Sequence, residues 1–218
     1  MKCVVCHRRK AKRFCPAKNE SICTQCCGEK RVLEIDCPES CEFLKVGRIH
    51  EVREYTRYLR LIDPARREAH QTALDGPMQT VALLESVFAR QRLVMRDLTD
   101  KAAAEAVDLL LDAYRTEENG ILYQKTSQDL QAESLRRELR DVIEFRRNPE
   151  READKGLVGS KDERLSLRSA IQSLEFVRDI LASHMNHGNS PSSYIDLVAR
   201  LIPREGPSGD ARRSIIIP

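Results

Sequence analysis

All eight cysteines of the chain stand within its first 41 residues, at Cys3, Cys6, Cys15, Cys23, Cys26, Cys27, Cys37 and Cys41. Cys3 and Cys6, like Cys23 and Cys26, form a C-x2-C pair, the spacing at which two thiolates reach one metal ion. Zinc takes four thiolates in a tetrahedron, so eight cysteines predict two zinc ions per chain. The two short pairs make one site and Cys15, Cys27, Cys37 and Cys41 the other. The chain then visits the sites alternately and cross-links its own loops. Spacing alone also allows Cys26 and Cys27 to exchange roles, or one zinc with spare thiols. An iron-sulfur cluster is a further reading, since four cysteines hold one equally well. This stretch, however, is rich in charge and has few large apolar residues, such as Phe14 and Ile22, to shield a redox centre.

Catalysis has less to stand on. A catalytic zinc keeps one coordination position open, and two closed four-thiolate sites leave none. His184 and His187 sit three apart where a helix ends, a solvated terminus more than a metal pair. His50 precedes Glu51 and His70 follows Glu68, but no His-Glu-x-x-His run occurs. Gly156 and Gly159 lack the context of a phosphate loop. No catalytic residue is assigned, and a metal-dependent enzyme remains only as an alternative to a binding protein.

The charge is unevenly placed. Residues 1–48 hold eleven Lys or Arg against six acids, a net of +5, so the other 170 residues sum to -2 of the chain's +3. A basic finger on a near-neutral body points to a nucleic acid or an acidic protein surface as partner. The residues offered are Arg8, Arg9, Lys10, Lys12 and Arg13 on the loop between the first ligands, and Lys30 and Arg31 after Cys27. Phe14 could stack on a base, although one aromatic more often fills the core of a small finger. Met1 is followed by Lys2 and Cys3 rather than by an apolar signal core, and no stretch approaches roughly 18 apolar residues. A reducing, cytoplasmic setting without a membrane is expected.

The elements that must position these residues are helical. A cysteine module of 41 residues is too short to fold by burial alone, so metal stands in for a core. From Pro38 to Asp63, Leu44, Ile49, Val52, Tyr55, Leu59 and Ile62 recur at helical steps, predicting a helix launched directly from Cys37 and Cys41. A short helix over Ala65 to Leu74 precedes a break at Asp75 to Pro77. The next, to about Asp97, carries Val81, Leu84, Phe88, Gln91, Met95 and Leu98, with Leu83, Val87 and Val94 widening the stripe. The chain kinks or re-caps at Thr99 and Asp100, and alanines on the following helix favour close packing until Asn119 and Gly120 stop it. A helix from about Thr126 to Arg147 turns Leu130, Leu135, Leu139, Val142 and Ile143 inward. Its opposite face (Glu133, Arg136, Arg137, Glu138, Arg140, Asp141, Glu144, Arg146, Arg147) reads as solvated. After a polar loop over 148–160, Ser160 to Glu163 has the form of a capping box for a helix to about His184. Ser190 and Pro191 start a last short one that Pro203 ends.

The cysteine module resembles the cross-brace zinc fingers, and within them the B-box domain: the opening pair Cys3 and Cys6, an alanine and an aromatic between Ala11 and Cys15, and the ICTQC knuckle at Cys23 and Cys26. The resemblance covers residues 1–41 and implies two zincs and a role in protein association. Where that family places histidines after Cys27, this chain has Cys37 and Cys41.

The reading is therefore a mainly α protein: a two-zinc module over residues 1–41, an all-helical, bundle-like body over 42–203, and a flexible tail over 204–218 whose Ile215, Ile216 and Ile217 need cover. Its function is that of a non-enzymatic zinc-binding adaptor or regulator acting through protein contacts or self-association, with RNA or DNA binding through the basic module as the alternative.

Overall fold

The computed structural model describes residues 1–73, 78–148 and 164–203. The expected break at Asp75 to Pro77, residues 149–160 of the expected polar loop, the capping box from Ser160 to Glu163, and the expected tail over 204–218 with its isoleucines lie outside these residues. Among those described, the chain is mainly helical. An antiparallel hairpin of β1 (Arg13–Cys15) and β2 (Glu20–Ile22) is followed by α1 (Thr24–Lys30), α2 (Glu42–Leu59), α3 (Pro64–Ala73), α4 (Met78–Val94), α5 (Asp100–Glu118), α6 (Leu130–Arg147), α7 (Leu167–His187) and α8 (Ser193–Leu201).

Helix α5 is the centre of the body. Ala102, Ala103, Ala104 and Ala106 are buried on it, and their small side chains let α6 and α7 approach closely, as the sequence predicts. Leu135, Leu139 and Ile143 of α6, Leu174, Val177 and Leu181 of α7, and Val81, Leu84 and Phe88 of α4 complete one continuous core with Tyr194 and Val198 of α8. The re-cap between α4 and α5 is real: Thr99 accepts a hydrogen bond from the Ala102 N–H at 3.2 Å. Gly120 ends the region of α5 at φ 78°, where a β-carbon would be strained.

Polar groups inside this core join elements that apolar spacing leaves unconnected. Tyr55 of α2 and Tyr194 of α8 both donate to Glu85 Oε1 of α4 at 2.7 Å, and burial pushes the Glu85 carboxyl above its ordinary pKa. Asp100 accepts from the backbone N–H groups of Tyr194 and Ile195 at 3.0 and 3.1 Å. One side chain of α5 thus satisfies the first turn of α8.

Several expected positions shift. Helix α2 begins at Glu42 rather than Pro38, because Pro38 to Cys41 closes a separate turn in which the Cys41 N–H reaches the Pro38 carbonyl at 2.9 Å. Ile49 and Val52 are exposed; the buried positions of α2 are Leu44, Gly47, Glu51 and Tyr58. Val94 and Leu83 are exposed on α4. Helix α6 starts at Leu130, capped by Asp129, so Leu130 is 85% exposed. The face of α6 read as solvated is partly interior: Arg136 and Glu133 are buried and paired at 2.8 Å, and Arg147 bridges Glu117 and Glu144. Helix α7 starts from Ser166, whose hydroxyl accepts from the Ser169 N–H at 3.0 Å.

Candidate metal centre

Cys3 and Cys6 sit on a tight knuckle. Lys2 bridges antiparallel to Lys10, the Cys3 N–H meets the Arg9 carbonyl at 2.9 Å, and the His7 N–H meets the Cys3 carbonyl at 2.8 Å. His7 takes a positive φ of 53°, which turns the chain back so that the backbone N–H groups of Arg9 and Arg8 face Cys6 and lower its pKa to about 6. Cys23 caps α1 and accepts from the Cys26 N–H at 3.3 Å, and Cys26 lies one turn on. The four sulfur atoms of Cys3, Cys6, Cys23 and Cys26 all lie within 4.8 Å of one another, with 4.0 Å between those of Cys6 and Cys23. A zinc tetrahedron with bonds of roughly 2.3 Å holds its sulfurs roughly 3.8 Å apart, so the donor set fits one such ion.

Burial pushes Cys26 up to about 12 while its neighbour Cys6 is held near 6. Four adjacent thiols can all ionise only when a cation compensates them. Among the described residues, this quartet alone meets the separation of a four-ligand group. Cys26 belongs to it and Cys27 does not, because consecutive helical residues of α1 point about 100° apart. The exchange that spacing left open is thereby decided.

The other four cysteines gather nearby in a looser arrangement. Cys15 at the end of β1, Cys27 on α1, Cys37 and Cys41 line one cavity of about 10 Å³ with Ile22, Ile35 and Phe43. Val32 carries a φ of 65°, rare for a β-branched residue, and its backbone N–H is bonded to Cys37. Arg13 donates to the Cys27 sulfur at 3.4 Å while its guanidinium lies 4.6 Å over the Phe43 ring.

The predicted basic residues divide. Arg8, Lys10 and Lys12 are exposed and make no ion pair among the described residues. Arg9 is hydrogen-bonded to Cys23, Arg13 to Cys27, and Lys30 to Glu34. Arg31 turns inward: it donates to the carbonyls of Gly28 at 3.3 Å and Phe43 at 3.4 Å and stands 3.8 Å from Glu51. His184 and His187 do not converge. His187 is exposed, whereas His184 is buried, stacks on Tyr58 with centroids 3.5 Å apart, and lies 3.0 Å from the Ser193 hydroxyl.

The joint between module and body is the part that sequence reasoning missed. Arg31 from the module and Arg200 from α8, 3.8 and 3.9 Å away, flank Glu51. The one local signal was Gly47 in the middle of a helix, where glycine is unfavourable unless something must come close. No family model, curated protein or solved structure matches this chain.

Proposed function

We propose that this is a non-enzymatic binding protein whose residues 1–41 form a module braced by two zinc ions, one in each cysteine quartet, carried on a helical scaffold formed by residues 42–203. The observation that carries the reading is the partition of Cys26 and Cys27: adjacent in sequence, they face different quartets, so both quartets are tied through α1. The order of visits, Cys3 and Cys6, Cys15, Cys23 and Cys26, then Cys27, Cys37 and Cys41, is the alternation of a cross-brace and keeps the likeness to the B-box domain. The strained φ of Val32, whose N–H serves Cys37, supports the second ion, since such strain persists where the surroundings fix it.

Zinc in such sites cross-links loops and supplies no open position for a substrate. Zinc is preferred to an iron-sulfur cluster because a cluster spreads its cysteines over several irons, whereas the Cys3 quartet is gathered tightly enough to share one ion. Among the described residues, Ser193 stands beside His184 as a hydroxyl and an imidazole in hydrogen-bonding reach. Burial, with help from Arg57, lowers His184 to about 4, which makes it a weak base, and its Nε2 has no orienting partner. The exposed cations of the module give the partner an acidic character, and a reducing cytoplasm keeps eight thiols available as ligands.

Elemental analysis of the purified full chain tests the assignment. Two zincs per chain and a colourless solution are expected. One zinc per chain removes the second site, and a brown protein absorbing near ~400 nm replaces zinc with an iron-sulfur cluster.

A further inference from the structure

We infer that the face of the module bearing Lys2, Lys10, Lys12 and Phe14 binds single-stranded nucleic acid. This rests on the reading of residues 1–41 as a metal-braced binding module and names its partner.

The geometry begins with a pairing that is unfavourable as it stands. Lys2 and Lys10 are direct partners in an antiparallel bridge, so two like charges are held side by side. Such a pair is destabilising unless an anion lies between or above it. From this isolated bridge into β1, exposure alternates along the chain: Lys10, Lys12 and Phe14 are exposed, Ala11 and Arg13 half-buried, and Cys15 buried. Alternation places Lys10, Lys12 and Phe14 on one side, and bridge partners share a side, so Lys2 joins them. None of the three lysines has an ion pair among the described residues. Their neighbours Arg13, Lys30 and Arg31 are all engaged within the chain. Lys2, Lys10 and Lys12 therefore stand together as unpaired cations on one face, with Arg8 and Lys18 the other exposed, unpaired cations of residues 1–41.

Phe14 stands at the end of this row with 56% of its surface exposed. The finger core is built from Ile22, Ile35 and the cysteines, so the ring is not needed there. Its inner side closes the cavity of the second quartet, which holds the ring in place while the rest meets solvent. Arg13, the adjacent cation, lies over Phe43 instead. A fixed, open aromatic ring beside a line of lysines is the chemistry that stacks a base and neutralises the phosphates next to it. Alternate strand positions repeat about every 6.6 Å, close to the spacing of phosphates along an extended single strand. A duplex fits poorly, because the exposed face of α1 carries Thr24, Gln25 and the acidic Glu29, and its one cation, Lys30, is paired with Glu34. An acidic peptide would use the lysines and leave Phe14 without a role.

The test is fluorescence anisotropy of the full, zinc-loaded chain with a labelled 12-nucleotide oligouridylate and the same length of oligothymidylate. Binding at low salt is expected, with log K falling as log salt rises. Phe14→Ala should weaken it about 10-fold or more, the loss of one stacked base, and Phe14→Tyr should retain it. Lys10→Gln with Lys12→Gln should lower the salt slope by about 1.4, two phosphate contacts. These two lysines are exposed, so the variant keeps its fold, and metal content and circular dichroism check this directly. Absence of binding by a protein with its full metal complement overturns the inference and leaves the braced module standing; absence of metal removes both. Polyglutamate binding as tightly as the oligonucleotides, with Phe14→Ala affecting neither, would assign the face to an acidic protein and overturn the inference as well.

Discussion

The guanidinium of Arg31 lies across the backbone of Gly47, so close that a β-carbon there would stand 1.2 Å from Arg31 Nη1. Gly47 is thus the seat of a side chain that reaches from the cysteine module to α2, and its presence in mid-helix is explained.

The seat predicts a reversal of sign. Alanine normally strengthens a helix by about 0.5–1 kcal/mol over glycine. Gly47→Ala should instead lower stability by about 1–2 kcal/mol, since Arg31 must give up its bonds to Gly28 and Phe43. In an Arg31→Ala background the same change should stabilise. Denaturant midpoints of the four proteins of the cycle measure this; equal effects in both backgrounds would refute the contact.

Adjacent cysteines should have separable consequences. Under the two-zinc proposal, Cys26→Ser is expected to release the ion of the Cys3 quartet and Cys27→Ser the ion proposed for the other four cysteines. Cys23→Ala should likewise cost one zinc while most of the helical circular dichroism survives. Zinc counted by a colorimetric chelator gives the answer. Loss of the whole helical signal would mean that residues 1–41 and the body form one cooperative unit.

Two buried groups make opposing contributions to the pH dependence of stability. Burial raises Asp100 from 3.8 to about 6, so its contribution is present in acid and is lost as pH rises through about 6. Burial lowers His184 from 6.5 to about 4, so its contribution is present above 6.5 and is lost as pH falls through about 4. Each is worth on the order of 3 kcal/mol. Relative to wild type at each pH, Asp100→Asn should therefore gain stability as pH rises from about 4 to 6, and His184→Phe should lose it over about 4 to 6.5. Urea midpoints across that range test both signs, and flat differences would dismiss them.

The pair buried on α6 predicts an asymmetric pattern. Arg136 and Arg137 hold Glu133 down to about 2, so this carboxylate stabilises the fold above about 4.5 and ceases to as pH falls through about 2. Arg136→Met should destabilise by about 3 kcal/mol, because a buried carboxylate loses its main partner. Adding Glu133→Gln should recover part of that loss. Thermal melts of the single and double variants decide it, and additive losses would contradict the pairing.

Much of this architecture is legible in local pattern. The C-x2-C pairs announce a metal site, the stops at Asn119 and Gly120 and the cap at Thr99 lie where backbone geometry demands them, and the alanines of α5 mark close packing. The stripe on α2 misleads for an instructive reason. Ile49 and Val52 look like its inner face, yet the helix buries Gly47 and Glu51 because it faces two arginines and not only the apolar core. Likewise Arg136 resembles its solvated neighbours until Glu133 and the body close around it.

By itself, then, the sequence determined that thiols would gather at the N-terminus and that the rest would be helical, since both follow from spacing along one chain. Only the tertiary structure decided that Cys26 joins Cys3, Cys6 and Cys23 while Cys27 turns away, and that Arg31 docks on Gly47. Those choices depend on groups distant in sequence meeting in space. A buried carboxylate or a helical glycine is identical in sequence to an exposed one until its partner arrives.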